Sequence, residues 1–227
     1  MSTESLLRRL RVELQRVADP EKALKMQRYM KSEMPYLGVA APALRVACKA
    51  VFASLTFADA RQWRDAVMTI WENARHREEW YAAIALSGHR AARTFQNFEA
   101  LPVYERMIVE GAWWDIVDAV AAQRLGQLLR KEARMRDVML AWSTDEHMWK
   151  RRASIISQLQ FKEATDLELL YACIEPSLSS REFFLRKAIG WALRQLARTK
   201  PDEVRRYVRD HEGLLSPLSK REALKHL

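Results

Sequence analysis

Four short segments of the chain end in the same way. Trp80–Ile84, Ile116–Val120, Arg151–Ile155 and Leu185–Ile189 each close on a small residue followed by a β-branched aliphatic one. Their last residues stand 36, 35 and 34 positions apart. A period of that length holds two helices and their connections, the unit of a helical solenoid. In such a stack each unit buries its apolar stripe only against its neighbours, and equivalent helices line one side. Residues close to this pattern, Asp118, Arg152, Arg186 and Lys187, are then expected along one side of the stack.

The hydrophobic spacing supports helices throughout. Residues 3–17 carry Leu6, Leu7, Leu10 and Leu14 at helical intervals. Asp19-Pro20 is a restart, with Asp as N-cap and Pro in the first turn. The next helix runs from Glu21 to about Glu33, and Met34-Pro35-Tyr36-Leu37-Gly38 breaks it. Pro42 opens another, Asp59 caps the one after, residues 77–93 form a further helix, and Pro102 opens the next. Beyond it the spacing predicts helices near 114–130, 132–142, 146–160, 166–175, 181–198 and 201–211. No β-alternation competes, and the six Gly and seven Pro leave room for few turns. The expected architecture is all-α, a single domain over 1–227.

Charge is unevenly placed along the chain. Of the net +9, residues 1–50 carry +5, 120–160 carry +4 and 181–227 carry +6, while the remainder sums to −6. Surplus positive charge confined to certain segments suits a polyanion, above all a phosphate backbone. A solvated basic exterior would look similar. No run of eighteen or more apolar residues is present, so no membrane-spanning helix is expected, and the N-terminus lacks a secretory signal. Cys48 and Cys173 match no metal or redox spacing. The expected setting is a reducing cytoplasm.

Gly111-Ala112-Trp113-Trp114-Asp115-Ile116-Val117-Asp118 is the unusual stretch. Trp114 and Asp118 are i,i+4 neighbours if a helix starts here, so an indole face and a carboxylate share one side. That pairing suits a flat cationic ligand. Trp113 then points elsewhere. The same residues also read as helix-start chemistry: Asp115 as N-cap, Asp118 on the helix dipole, Trp114 packing on the next turn. Two further places offer basic and aromatic groups together. In Trp149-Lys150-Arg151-Arg152 one basic residue could face inward, or all could be solvated. In Phe183 through Arg194, Phe184, Lys187 and Trp191 can share a face, or Phe184, Ile189 and Leu193 can be an ordinary core stripe. Gly190 inside that helix costs about 1 kcal/mol relative to Ala, which hints at close backbone approach.

Phosphate-binding glycine loops, metal-ligand spacings and serine nucleophile elbows are lacking. Carboxylate, aromatic and basic groups remain. They suffice for N-glycosidic cleavage of an N3- or N7-alkylated purine, which is already cationic and departs as a neutral base without a general acid. A carboxylate then stabilises the oxocarbenium character that develops on the sugar.

The chain resembles the AlkD family of bacterial DNA alkylation-repair glycosylases, built from HEAT-like repeats. The matching stretches are Met26–Lys31, Trp113–Asp118, Trp149–Ala153, Ser180–Phe184 with Ala188–Trp191, and Pro217–Ala223. The resemblance implies a HEAT-like helical-repeat solenoid with a concave basic DNA-binding face. It implies a monomer that excises positively charged alkylpurines from double-stranded DNA, with no metal or cofactor. Carried over residue by residue, Asp118 resembles the catalytic carboxylate, Trp114 and Trp191 the aromatic pair on the lesion deoxyribose, and Arg152 the phosphate-binding residue of the active site. Tyr29 resembles a tyrosine that approaches the duplex. Lys31, Arg186, Lys187, Arg194, Lys220 and Arg221 complete the expected DNA contacts. The Gly38-x-x-x-Pro42 element departs from the family pattern in having Ala40 and Ala41 where polar residues occur.

Two other functions fit the same scaffold. A helical-repeat protein can bind DNA without chemistry, and it can bind other proteins. Retention of Trp114, Asp118, Arg152 and Trp191 together favours the enzyme. The segregated basic charge favours DNA over a protein partner.

Overall fold

A computed structural model describes residues 2–227, and among them the only regular secondary structure is helical. Fourteen α-helices follow one another: α1 (Thr3–Arg16), α2 (Pro20–Met30), α3 (Ala41–Phe52), α4 (Ala60–Glu72), α5 (Arg77–Ser87), α6 (Leu101–Gly111), α7 (Trp114–Val120), α8 (Gly126–Leu129), α9 (Met135–Ser143), α10 (Met148–Ile156), α11 (Leu167–Ile174), α12 (Phe183–Ala197), α13 (Pro201–Asp210) and α14 (Pro217–Ala223). They group into two compact units, Met1–Gln96 and Asn97–Leu227. The four aliphatic residues that set the sequence period, Ile84, Val120, Ile155 and Ile189, are all buried.

In the first unit, α1 contributes Leu6, Leu10 and Leu14 to the core, α3 Val51 and Phe52, and α4 Trp63, Val67 and Ile70. The expected starts of α2 and α4 are present. Asp19 accepts the Lys22 amide at 3.0 Å and Asp59 accepts that of Gln62 at 2.8 Å, which satisfies donors that a helix start leaves open. The break after α2 is held by a buried carboxylate. Glu78 accepts the backbone amides of Leu37 (3.0 Å), Gly38 (2.9 Å) and Val39 (3.1 Å). Gly38 adopts φ +79°, and a Cβ there would lie 2.0 Å from the Asp19 carbonyl oxygen. Only glycine fits. The helix expected over 77–93 ends at Ser87, and a 3-10 segment, Arg90–Phe95, follows.

The second unit carries α6 to α14. The helix expected over 114–130 is continuous in direction but not in hydrogen bonding: α7 passes through a π-helical segment, Ala121–Leu125, into α8. α10 packs against α6, α7, α9, α11 and α12, so it is the central element of this unit. α14, which the hydrophobic spacing did not single out as a helix, packs on α12. The contact is closest at Gly190, where a Cβ would lie 2.5 Å from Glu222 Cβ and 2.9 Å from the Ser219 carbonyl oxygen. The close approach expected of that glycine is therefore real.

Candidate active site

α7 begins abruptly. Ala112 takes left-handed backbone angles, φ 29° and ψ 38°, and Trp113 is extended at the N-cap position. Such a conformation costs about 1 kcal/mol for a residue with a Cβ. It turns the chain out of α6 so that α7 starts at Trp114. Trp113, and not Asp115, is thus the cap, and Asp115 lies in the first turn. Trp114 and Asp118 fall one turn apart on α7, both half-buried. The π-helical segment begins at Ala121, three residues after Asp118; such bulges concentrate at functional sites.

Asp118 meets Arg152 of α10 side-on. Arg152 Nε donates to Oδ1 at 2.7 Å and Nη2 donates to Oδ2 at 2.7 Å. The third guanidinium nitrogen, Nη1, donates to the Phe184 carbonyl oxygen of α12 at 2.6 Å. This carbonyl lies in the first turn of α12. One side chain therefore ties three helices together, and Arg152 is only 4% exposed. A planar two-point contact of this kind is among the strongest a carboxylate makes. Burial pushes the Asp118 carboxyl above its ordinary value, the Arg152 hydrogen bonds and charge pull it back, and the nearby Asp115 charge raises it; the balance is upward.

An aromatic cluster backs this pair. The Phe184 ring lies 5.2 Å from Trp113 and 4.9 Å from Trp149, and Trp113 lies 6.0 Å from Trp149. The Arg152 guanidinium carbon stands 5.9 Å from the Phe184 ring centre. Phe183, 52% exposed, is edge-on to Phe184 at 5.3 Å. Trp191, half-buried, lies two turns along α12 from Phe184. So Trp113, which helical spacing turns away from the Trp114 and Asp118 side, joins Trp149 and Phe184 in an aromatic wall beside Arg152. Of the basic run, Arg152 is the residue that faces inward. Lys150 instead pairs with Glu105 at 2.9 Å and Asp145 at 2.6 Å.

The chain matches the family of DNA alkylation repair enzymes over residues 10–227. It belongs to that family. No curated protein matches it. A solved structure described as a predicted DNA alkylation repair enzyme from Enterococcus faecalis is 30% identical, with a TM-score of 0.79 over 92% of this chain and 96% of that one. For a DNA alkylation repair enzyme, DNA is the expected partner, and the basic residues gain meaning from it.

The residues expected to contact DNA occur in both units. Tyr29 and Lys31 belong to the first unit; Tyr29 is 76% exposed, and Lys31 ends α2 in a left-handed conformation with its side chain exposed. Lys187 and Arg194 of α12 converge on Glu222 of α14, at 3.0 and 2.6 Å. Arg186 is half-buried, and its carbonyl accepts from Ser219 Oγ at 2.9 Å. Lys220 donates to the Glu212 carbonyl oxygen at 3.2 Å, and Arg221 is exposed. Sequence spacing did not foreshadow Glu222, because its partners come from another helix.

Other chemistry finds little support among the described residues. No group of three or more His, Cys, Asp or Glu could hold a metal ion. Both cysteines are buried and unpaired, and burial pushes each thiol up to about 12, so neither is a thiolate at neutral pH. A cavity of about 560 Å³ in the first unit is lined by Ser2, Thr3, Arg9, Thr56 and Gln62 among others, with no carboxylate. No helix is long and apolar enough to cross a membrane.

Proposed function

We propose that this member of the DNA alkylation repair family is a glycosylase that hydrolyses the N-glycosidic bond of N3- and N7-alkylated purines in duplex DNA, acting as a monomer. The observation that carries this reading is the buried, two-point Asp118–Arg152 pair with Trp114 one turn away on the same helix. Other features support it. The carboxylate is held at two points, is 16% exposed, and its arginine partner lies 5.9 Å from the Phe184 ring centre, so the pair is largely withdrawn from water.

In the reaction the C1′–N bond breaks and its electron pair moves to the purine, which loses its positive charge and leaves neutral. The sugar gains oxocarbenium character. Asp118 lies ready to stabilise that charge, since each of its oxygens keeps a second lone pair beyond the one facing Arg152. Water adds to C1′ and loses a proton. The indoles of Trp114 and Trp191 offer π faces to the cationic nucleotide. Arg152, whose donors point at Asp118 and at Phe184, fixes the carboxylate's orientation; a phosphate contact would use the N–H groups left over.

Release of 7-methylguanine from a defined duplex, wild type beside Asp118→Asn, tests this. Release by the wild type alone supports the glycosylase. Salt-sensitive duplex binding with no release by either protein points to the non-catalytic DNA-binding reading instead.

A further inference from the structure

Glu222 is an unexpected feature of the α12–α14 contact. It places a carboxylate among residues expected to meet a polyanion. Its side chain is 14% exposed, against 21% for Arg194 and 37% for Lys187. Each of its two oxygens takes one cation: Oε1 the Lys187 ammonium at 3.0 Å, Oε2 the Arg194 guanidinium at 2.6 Å. The triad keeps a net charge of +1. Its geometry is fixed from behind by the helix crossing. Gly190 lets Glu222 Cβ approach the α12 backbone, and Ser219, one turn earlier on α14, bonds to the Arg186 carbonyl at 2.9 Å. Glu222 is therefore a built part of the crossing.

Helical spacing gives the arrangement its meaning. Lys187, Trp191 and Arg194 are related by four and three residues, so they form one ridge of α12 with the indole between the two cations. A long cationic side chain samples many rotamers when nothing holds it. Here the carboxylate holds both.

We propose that Glu222 is a positioning residue: it pins Lys187 and Arg194 on either side of Trp191, so that the ridge meets duplex DNA in one geometry and is kept from grasping phosphates indiscriminately. This rests on the DNA glycosylase reading above. The pinned ridge trades non-specific affinity for orientation of the indole at the lesion. Electrostatic attraction to the backbone is sequence-blind, whereas a misplacement of about 1 Å at a reacting centre can lower a rate about a hundredfold.

The test is Glu222→Gln, which keeps the shape and removes the charge. Binding to undamaged duplex should tighten at low salt, and the slope of log K against log salt should steepen by about one, the value for one further neutralised phosphate. Single-turnover base release at saturating DNA should fall, by about tenfold if the indole shifts by a fraction of the displacement above. A residue that merely held the fold together would weaken both. An unchanged slope, or an unchanged saturated rate, overturns the proposal. Should Glu222→Gln not fold, Glu222→Asp serves: it must keep the wild-type slope and lose rate, and a wild-type rate there overturns the proposal. The slope needs no excision. A wild type that binds duplex but releases no base therefore refutes the glycosylase reading and leaves the slope to decide the role of Glu222. A wild type with no salt-sensitive duplex binding refutes both.

Discussion

Arg152 commits at least three of its five N–H groups inside the protein, two to Asp118 and one to the Phe184 carbonyl. Removing it strands a carboxylate that is 16% exposed. Arg152→Ala should therefore destabilise the protein by about 3 kcal/mol, read from urea melts. Arg152→Lys should recover only part, because an ammonium cannot reproduce the planar fork. If Arg152→Lys restored full stability and rate, the two-point geometry would be irrelevant. At Asp118 the expected loss is kinetic. Asp118→Asn keeps an acceptor but loses the charge opposite the oxocarbenium, and should slow base release by about a hundredfold or more while leaving duplex binding within a few-fold. The pH dependence follows from the same pair. The active form is ionised, and burial raises the Asp118 carboxyl above its ordinary 3.8. As pH falls through that raised value the carboxylate gains a proton, so the acid limb of the rate profile should lie above 3.8. A profile flat down to the ordinary carboxylate range would contradict the assignment. The carboxylate and its indole neighbour were legible in the sequence as residue types at helical spacing, whereas spacing alone left open which residue of the basic run, if any, faces inward. The aromatic wall was not legible, because Trp113, Trp149 and Phe184 come from three helix starts that only tertiary packing brings together.

At the scale of elements, the punctuation was the most readable part. Asp19-Pro20 and Asp59 start helices where local chemistry demands it, since a cap depends on three or four adjacent residues. Gly111 shows the limit. It looks like the natural left-handed residue, yet it stays helical and Ala112 makes the turn. The π-helical segment after α7 also left no local mark, because it answers to neighbours distant in sequence, and the α12–α14 crossing left only Gly190, which signals a close approach without naming the partner. Two glycines turn this into measurable expectations. Gly38→Ala should destabilise by more than about 3 kcal/mol, since it combines a left-handed backbone with overlap on fixed backbone atoms. Gly190→Ala would stabilise an isolated helix by about 1 kcal/mol. In this protein it should instead lower the melting temperature, because a Cβ would press on the Ser219 carbonyl and on Glu222. A melting temperature that rose would mean that α14 can slide without penalty. The loop before α3 supplies a third case. Glu78→Gln replaces one of the two accepting oxygens with an NH₂, which strands the Leu37 donor in one amide orientation and those of Gly38 and Val39 in the other; each donor left without an acceptor costs about 1–3 kcal/mol, read as a lower urea midpoint.

For the whole molecule, the formal +9 is what 29 acids leave of 38 Lys and Arg, and it does not say which cations a duplex can meet. Many cations are already matched by carboxylates. Arg205 pairs with Asp202 at 3.0 Å, and Arg206 with Glu203 at 2.5 Å and Asp210 at 3.1 Å. Lys187 and Arg194 share Glu222. Lys220 differs, as its partner is a carbonyl oxygen, which leaves its full charge uncompensated, and Arg221 beside it is exposed. Phosphate affinity depends on cations that can release counterions from DNA, so the two classes should separate in a salt titration. Changing Lys220 and Arg221 together to Gln should lower the slope of log K against log salt by about two. The same change at Arg205 and Arg206 leaves Asp202, Glu203 and Asp210 unmatched, so it should weaken binding by adding net negative charge while moving the slope by less than about one. Binding measured at several salt concentrations on undamaged duplex decides between them. Equal slope changes for both pairs would mean that internal pairing does not govern which cations meet DNA, and that net charge alone sets the interaction.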